Sequence, residues 1–95
     1  MIILRSPFRF QWDKGNKNKS YARHRVGDQE CEEVFFDQNK KILKDILHSG
    51  REERYMLLGQ TKAKRKLFIV FTMRRDETRV ISARDLNRKE IKLYE

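Results

Sequence analysis

Leu67 to Arg84 reads LFIVFTMRRDETRVISAR, and the fold turns on these residues. Val, Ile, Phe and Thr crowd Phe68 to Thr72, which is strand composition. Arg75 to Thr78 supplies a polar turn, and Val80 to Ala83 returns as a shorter strand. The stretch therefore predicts the central β-hairpin of a small sheet, with Arg74, Arg79 and Arg84 at or near its ends. Leu67 to Phe71 is apolar at every position, so this strand should be central and covered at least partly on each side. A lone hairpin is marginal in water, so further strands are required. Turn length sets which arginines share a face. With Asp76 and Glu77 alone as the turn, Arg74 faces the same side as Arg79; one residue more or less swaps that pairing.

Upstream of the hairpin, Thr61 to Lys66 is a basic turn carrying Lys62, Lys64, Arg65 and Lys66, and Arg54 to Gln60 reads as a strand. His48 to Gly50 marks another turn, and Ile42 to Leu47 alternates weakly as a strand. A helix is expected over Gln29 to Phe36, where Cys31, Val34 and Phe35 make a narrow apolar stripe and acids crowd the N-terminal end. Another is expected from Lys17 to about Arg25, capped by Asn16, with Tyr21 and His24 facing inward. Phe8, Phe10 and Trp12 alternate with polar residues as a short strand, and Met1 to Ser6 is expected to be disordered. Downstream, Asp85 or Asn87 caps a final helix that buries Ile91 and Tyr94. The pattern predicts a single α+β domain over residues 1–95. Its small antiparallel sheet of four to five strands carries two N-terminal helices and one C-terminal helix.

The totals narrow the function. The chain has 95 residues, 39% charged and 38% apolar, with a net charge of +9. That balance suits a polyanionic partner. No apolar run approaches the roughly 20 residues of a membrane span, and Arg5 interrupts any signal-peptide core, so the expected location is the cytoplasm. A single cysteine excludes an internal disulfide framework and fits a reducing compartment. His24 and His48 have no metal-ligand partners at a recognisable spacing, so neither a metal nor any other cofactor is expected. Charge is segregated: Lys14 to Arg25 is basic without an acid, and Asp28 to Asp37 is acidic without a base. Such segregation predicts two surfaces with different partners.

No phosphate loop, zinc pattern or Ser/His/Asp order stands out, which leaves basic groups beside a few acids. Cutting RNA needs little more. The 2′-hydroxyl attacks the adjacent phosphorus, a base takes its proton, cations stabilise the phosphorane and an acid protonates the leaving oxygen. The forked donors of Arg74, Arg79 and Arg84 match phosphate oxygens, and their guanidiniums are expected to converge on one phosphodiester. Glu53 is the candidate base, with Lys14 or a tyrosine as acid, although a strand-edge glutamate is more often simply solvated. Lys14, Lys19, Lys64 and Lys66 are candidate contacts to the RNA backbone. His24 is read as a core-edge histidine bonded to the sheet or to Trp12 in preference to a catalytic one.

A resemblance emerges from the same residues. Trp12-Asp13, Gly15-Asn16, Lys19, His24 and Val26 run as W-D-x-G-N-x-x-K-x-x-x-x-H-x-V. Glu33 to Phe36, Asp45, His48-Ser49, Glu53-Arg54-Tyr55 and Gly59-Gln60-Thr61 follow in order. Phe71-Thr72, Arg74, Arg79 to Arg84, Arg88, Glu90 and Tyr94 complete the series. Each motif alone is common; their order and spacing are specific. The chain resembles the BrnT family, the toxin half of a bacterial type II toxin–antitoxin pair. Two positions depart from the family pattern: Gly27 where relatives carry a Ser or Thr cap, and Arg75 where they carry Gly or a polar turn residue. The resemblance implies a RelE-like α+β fold and metal-independent RNA cleavage that blocks translation, with Glu53, Arg74, Arg79 and Arg84 at the catalytic positions. It also implies a BrnA-like ribbon-helix-helix antitoxin, a heterotetrameric resting complex, and contact with operator DNA only through that antitoxin. The alternative is a non-catalytic module that binds nucleic acid or antitoxin and acts as a co-repressor. A membrane-surface role lacks a broad apolar helical face.

Overall fold

A computed structural model of the chain describes residues 8–47 and 49–95. The elements run α1 (Lys19–His24), α2 (Asp28–Val34), β1 (Lys41–Asp45), β2 (Arg54–Gln60), β3 (Lys66–Arg74), β4 (Glu77–Asp85) and α3 (Arg88–Tyr94). The strands form one antiparallel sheet in the order β1-β2-β3-β4. The α+β class is as expected, and the apolar run of β3 lies between two partners, where it can be buried on both faces.

Side chains alternate along a strand, and directly paired residues point the same way, so the register assigns each to a face. Leu67, Ile69 and Phe71 of β3 share a face with Tyr55 and Leu57 of β2 and with Val80 and Ala83 of β4. The apolar stripe of α2 and the following Phe35 pack on this face: Val26, Cys31, Val34 and Phe35 are all fully buried there. Phe35 meets Phe71 edge-on at 5.1 Å and Phe10 at 5.2 Å, favoured geometry for ring pairs. Gly59 allows the close approach: a Cβ there would sit 2.7 Å from Val34 Cγ1. Burial pushes the Cys31 thiol up to about 12, so this sulfur is a core atom and not a nucleophile.

On the opposite face Thr72 is buried and the Arg79 side chain nearly so toward the β3–β4 turn, and α3 covers the other end. There Leu58 and Phe68 meet Leu86, Ile91 and Tyr94 under α3. Asn87 caps that helix by accepting from Glu90 N, and the Glu90 carboxylate accepts from Asn87 N in turn. Tyr94 Oη donates to Asp37 Oδ2, which also accepts from Gln60 N and ties the last helix to the loop after α2.

Several local expectations give way. Phe8 to Trp12 is not a strand; it makes a single parallel bridge, Phe10 to Thr78, beside β4 before the Asp13 turn leads it away. Helix α1 begins at Lys19, not Lys17, because Asn16 is used elsewhere. Its buried amide donates to Gln11 O and Val80 O and accepts from Asp13 N, pinning the turn to β4. Tyr21 and His24 are exposed, and Ser20 is the buried face of α1. His24 therefore does not bond Trp12, whose Nε1 donates to Glu32 instead. Helix α2 ends two residues early, at Val34; Gly27 gives it no side-chain cap, and the Glu30 carboxylate accepts from Gly27 N. Strand β4 is longer than expected at both ends. The segment Met1 to Ser6 and His48 lie outside the described residues.

Candidate functional site

The β3–β4 turn consists of Arg75 and Asp76, both with positive φ (50° and 66°), which pairs Arg74 with Glu77. Left-handed backbone at both turn positions is the geometry of a tight type I′ hairpin. Arg79 then pairs with Thr72, so Arg74 and Arg79 share the face that α2 does not cover. Arg84 lies five residues beyond Arg79, and in a regular strand it would point the opposite way. It does not, because the register slips between Val70 and Phe71: Phe71 pairs with Val80, Val70 with Ser82, and Ile81 is the extra residue of a bulge. Arg84 pairs with Phe68 and lays its guanidinium over that ring at 4.3 Å. All three arginines thus occupy the open face.

They do not converge on one point. Arg79 and Arg84 pair with β3 residues four apart, about 13 Å along a strand. Arg74 and Arg79 belong to the hairpin-tip end, and Arg84 to the end under α3. Each is held by a forked carboxylate. Arg74 pairs with Glu52 (Nη2 to Oε1, 2.8 Å), Arg79 with Asp13 (both bonds 2.9 Å) and Arg84 with Glu90 (both bonds 2.8 Å). Arg79 also donates to Gln11 Oε1, and its side chain is only 12% exposed. Gly15 makes room for it, since a Cβ there would stand 2.5 Å from Arg79 Nη2. The guanidinium of Arg79 holds the Asp13 carboxyl below its ordinary value, Arg74 does the same for Glu52, and Arg84 for Glu90. Arg54 and Arg79 add to the effect on Glu52, so the tip-end groups act on one another.

Glu53 does not join this cluster. It precedes β2 by one residue and points to the side of Tyr55, whose hydroxyl donates to it at 2.7 Å, with Lys44 at 3.0 Å. Those two contacts, Tyr55 first, lower its pKa. Period-two alternation puts its neighbour Arg54 on the arginine face instead, paired with Thr72 and Asp45. Glu52, Asp13 and Arg54 lie among these arginines and were not candidate site residues from the sequence. The alternation Arg54, Met56, Leu58 along β2 was the available signal.

The proposed RNA-contacting lysines are dispersed. Lys14 is exposed on the Asp13–Asn16 turn, and Lys19 lines a hollow between α1 and β4 with Arg23, Ile81 and Ser82. Lys64 sits in the β2–β3 turn at positive φ (69°), beside Glu33 and Asp37. Lys66 opens β3 on the arginine face, at the α3 end. Between the two arginine ends lies an open trough of about 380 Å³, lined by Asp45, Leu47, Arg54, Met56, Phe68, Val70, Ile81 and Ser82. Among the described residues no group of His, Cys, Asp and Glu is placed to hold a metal ion, and no helix is long and apolar enough to cross a membrane.

The chain has no match among curated proteins. A family model described as the ribonuclease toxin, BrnT, of type II toxin–antitoxin systems matches residues 12–90. The match takes in the Asp13 turn, the whole sheet and the Arg84–Glu90 pair.

Proposed function

The chain belongs to the BrnT family of ribonuclease toxins of type II toxin–antitoxin systems, and from that premise we propose a metal-independent endoribonuclease that cuts at the hairpin-tip cluster of the open face. A toxin of this class has RNA as its substrate and an antitoxin as its partner. The observation that carries the site is the bulge at Ile81, which turns Arg84 to the same face as Arg74 and Arg79. A strand departs from its regular pleat at a cost in pairing, and bulges recur where a side chain must be re-aimed at a site.

The chemistry follows from the geometry. Arg74 and Arg79 hold the scissile phosphate with the donors their carboxylates leave free, and stabilise the phosphorane charge. The Glu52 carboxylate, oriented by its forked pair with Arg74, takes the proton of the 2′-hydroxyl as its oxygen bonds to phosphorus. The bond from phosphorus to the 5′-oxygen breaks, and Lys14 protonates that oxygen. The products are a 2′,3′-cyclic phosphate and a 5′-hydroxyl. Glu52 replaces Glu53 as the base because Glu53 faces the wrong side of β2. Arg84 holds a neighbouring phosphate, and the basic helix α1 and Lys66 extend the track.

The meander with flanking helices supports a RelE-like reading, with basic and polar side chains on a sheet as the catalytic groups. The partner is a BrnA-like ribbon-helix-helix antitoxin in a heterotetramer that reaches operator DNA through the antitoxin alone, and the toxin acts in the cytoplasm. An antitoxin carrying acids over the arginine face would hide it. The test is RNA cleavage by the purified chain in excess chelator, alongside growth arrest on expression. Arg74→Ala and Arg79→Ala should each lower cleavage by about 10²- to 10³-fold with the circular dichroism unchanged. Full cleavage by both variants would refute the site.

A further inference from the structure

Of the four arginines that the register assigns to the open face, Arg74, Arg79 and Arg84 are each committed to a carboxylate. The Arg54 guanidinium makes no hydrogen bond or ion pair among the described residues; only its backbone N–H is bonded, to Ser49 Oγ. It is half-buried and forms one wall of the trough. A guanidinium fixed on a strand, partly desolvated and with its fork vacant, is arranged to receive an anion. The floor beside it is a different material. Met56 pairs with Val70, and Val70 with Ser82, so they follow one another across the sheet between Arg54 and Arg84. Ile81, displaced by the bulge, and Leu47, 92% exposed, complete an apolar bed that no element covers among the described residues.

We propose that this trough is a nucleotide subsite: a base of single-stranded RNA lies on Met56, Val70 and Ile81 while its phosphate takes the vacant fork of Arg54. The proposal rests on the ribonuclease reading and adds to it a place where one particular base is held. Alternating flat apolar and cationic surface suits a single strand, which presents bases and phosphates in turn. Ser82, exposed at the rim, is positioned to meet the edge of the base. Arg84 and the tip cluster flank the trough, so the strand would run along β3 from one to the other. The acidic cover expected of an antitoxin would meet the same arginines, but it gives no reason for an apolar bed between them.

The experiment measures binding of a short, uncleavable 2′-O-methyl RNA by fluorescence anisotropy, with an abasic residue placed at each position in turn. One position should show a loss of about tenfold, in the range of a single stacked base. Met56→Ala and, on the rim where folding is not at stake, Leu47→Ser should reduce that loss. Arg54→Gln should lower the slope of log affinity against log salt by about one phosphate contact. Equal affinity for every abasic strand, an unchanged penalty in both apolar variants, or an unchanged salt slope would each overturn the subsite. So would variants that weaken antitoxin binding and leave RNA affinity alone, since the bed would then belong to a protein. Cleavage of natural RNA, measured separately, distinguishes the two claims. Position-specific binding without cleavage defeats only the ribonuclease reading; cleavage without a position-specific penalty defeats only the subsite.

Discussion

The two faces of the sheet are made from the same strands and do opposite work. One is closed by α2 and filled with Phe35, Phe71, Leu57 and Ile69, all fully buried. The other is covered by α3 over Leu58 and Phe68 and carries arginines around an apolar trough. Each strand of the hairpin contributes to both. Phe71 and Val70 are adjacent, yet one anchors the aromatic interior and the other floors the trough. On the proposed reading, stability and function are segregated by the face each side chain takes, so substitutions on the two faces should fail in different ways.

The largest expected effect is on the closed face. Phe71→Ala removes a ring in contact with Phe35 and Tyr55, and should cost about 3–5 kcal/mol of unfolding free energy. Val70→Ala next to it should cost markedly less. Urea denaturation of both proteins checks this, and equal losses would erase the distinction between faces. A sharper comparison uses neighbours with one chemistry and two orientations. Glu52→Gln should slow RNA cleavage by about 10²-fold, the low end for a general base. Glu53→Gln should leave the rate near that of the wild type. Single-turnover kinetics on one oligonucleotide would decide, and the reverse order would restore Glu53 as the base.

The smallest effect is the acid sensitivity of the open face. Asp13, Glu52 and Glu90 all have carboxyl pKa values lowered by their arginines from ordinary values of 3.8 and 4.5. A folded-state value below the unfolded one means the stabilisation is complete above the ordinary value and is lost as pH falls through the lower, folded-state value. Melting temperatures taken from pH 7 down to pH 3 should therefore fall in the acid range. Glu90→Gln should flatten part of that fall. An identical acid profile for the variant would show that the Arg84 pair adds nothing to the fold.

Much of this architecture could be read before any coordinates. Strand β2 has the expected bounds, the Cys31, Val34, Phe35 stripe is buried as its spacing demands, and Asn87 caps α3. These are local signals: periodicity, a cap and a turn. The site was half legible. Three arginines on one hairpin suggested an anion site, but the face they occupy depended on a turn register and a bulge. Both are settled by pairing between strands, which neither strand encodes alone. The placement of Glu53 beside Tyr55, away from the arginines, was hidden for the same reason, since it depends on which face the strand turns it to. Asn16 was read as a helix cap because its partner in β4 lies 64 residues away.

The bulge at Ile81 also limits how this hairpin can vary. A strand that relies on one supernumerary residue cannot change by a single codon without consequence. Losing one position between Val80 and Arg84 would rotate the last guanidinium toward the aromatic interior and bring a small or apolar side chain out to the solvent. Substitution at that point is cheap, but a deletion exchanges the inside of the sheet for the outside. Related chains should therefore differ in composition here long before they differ in length.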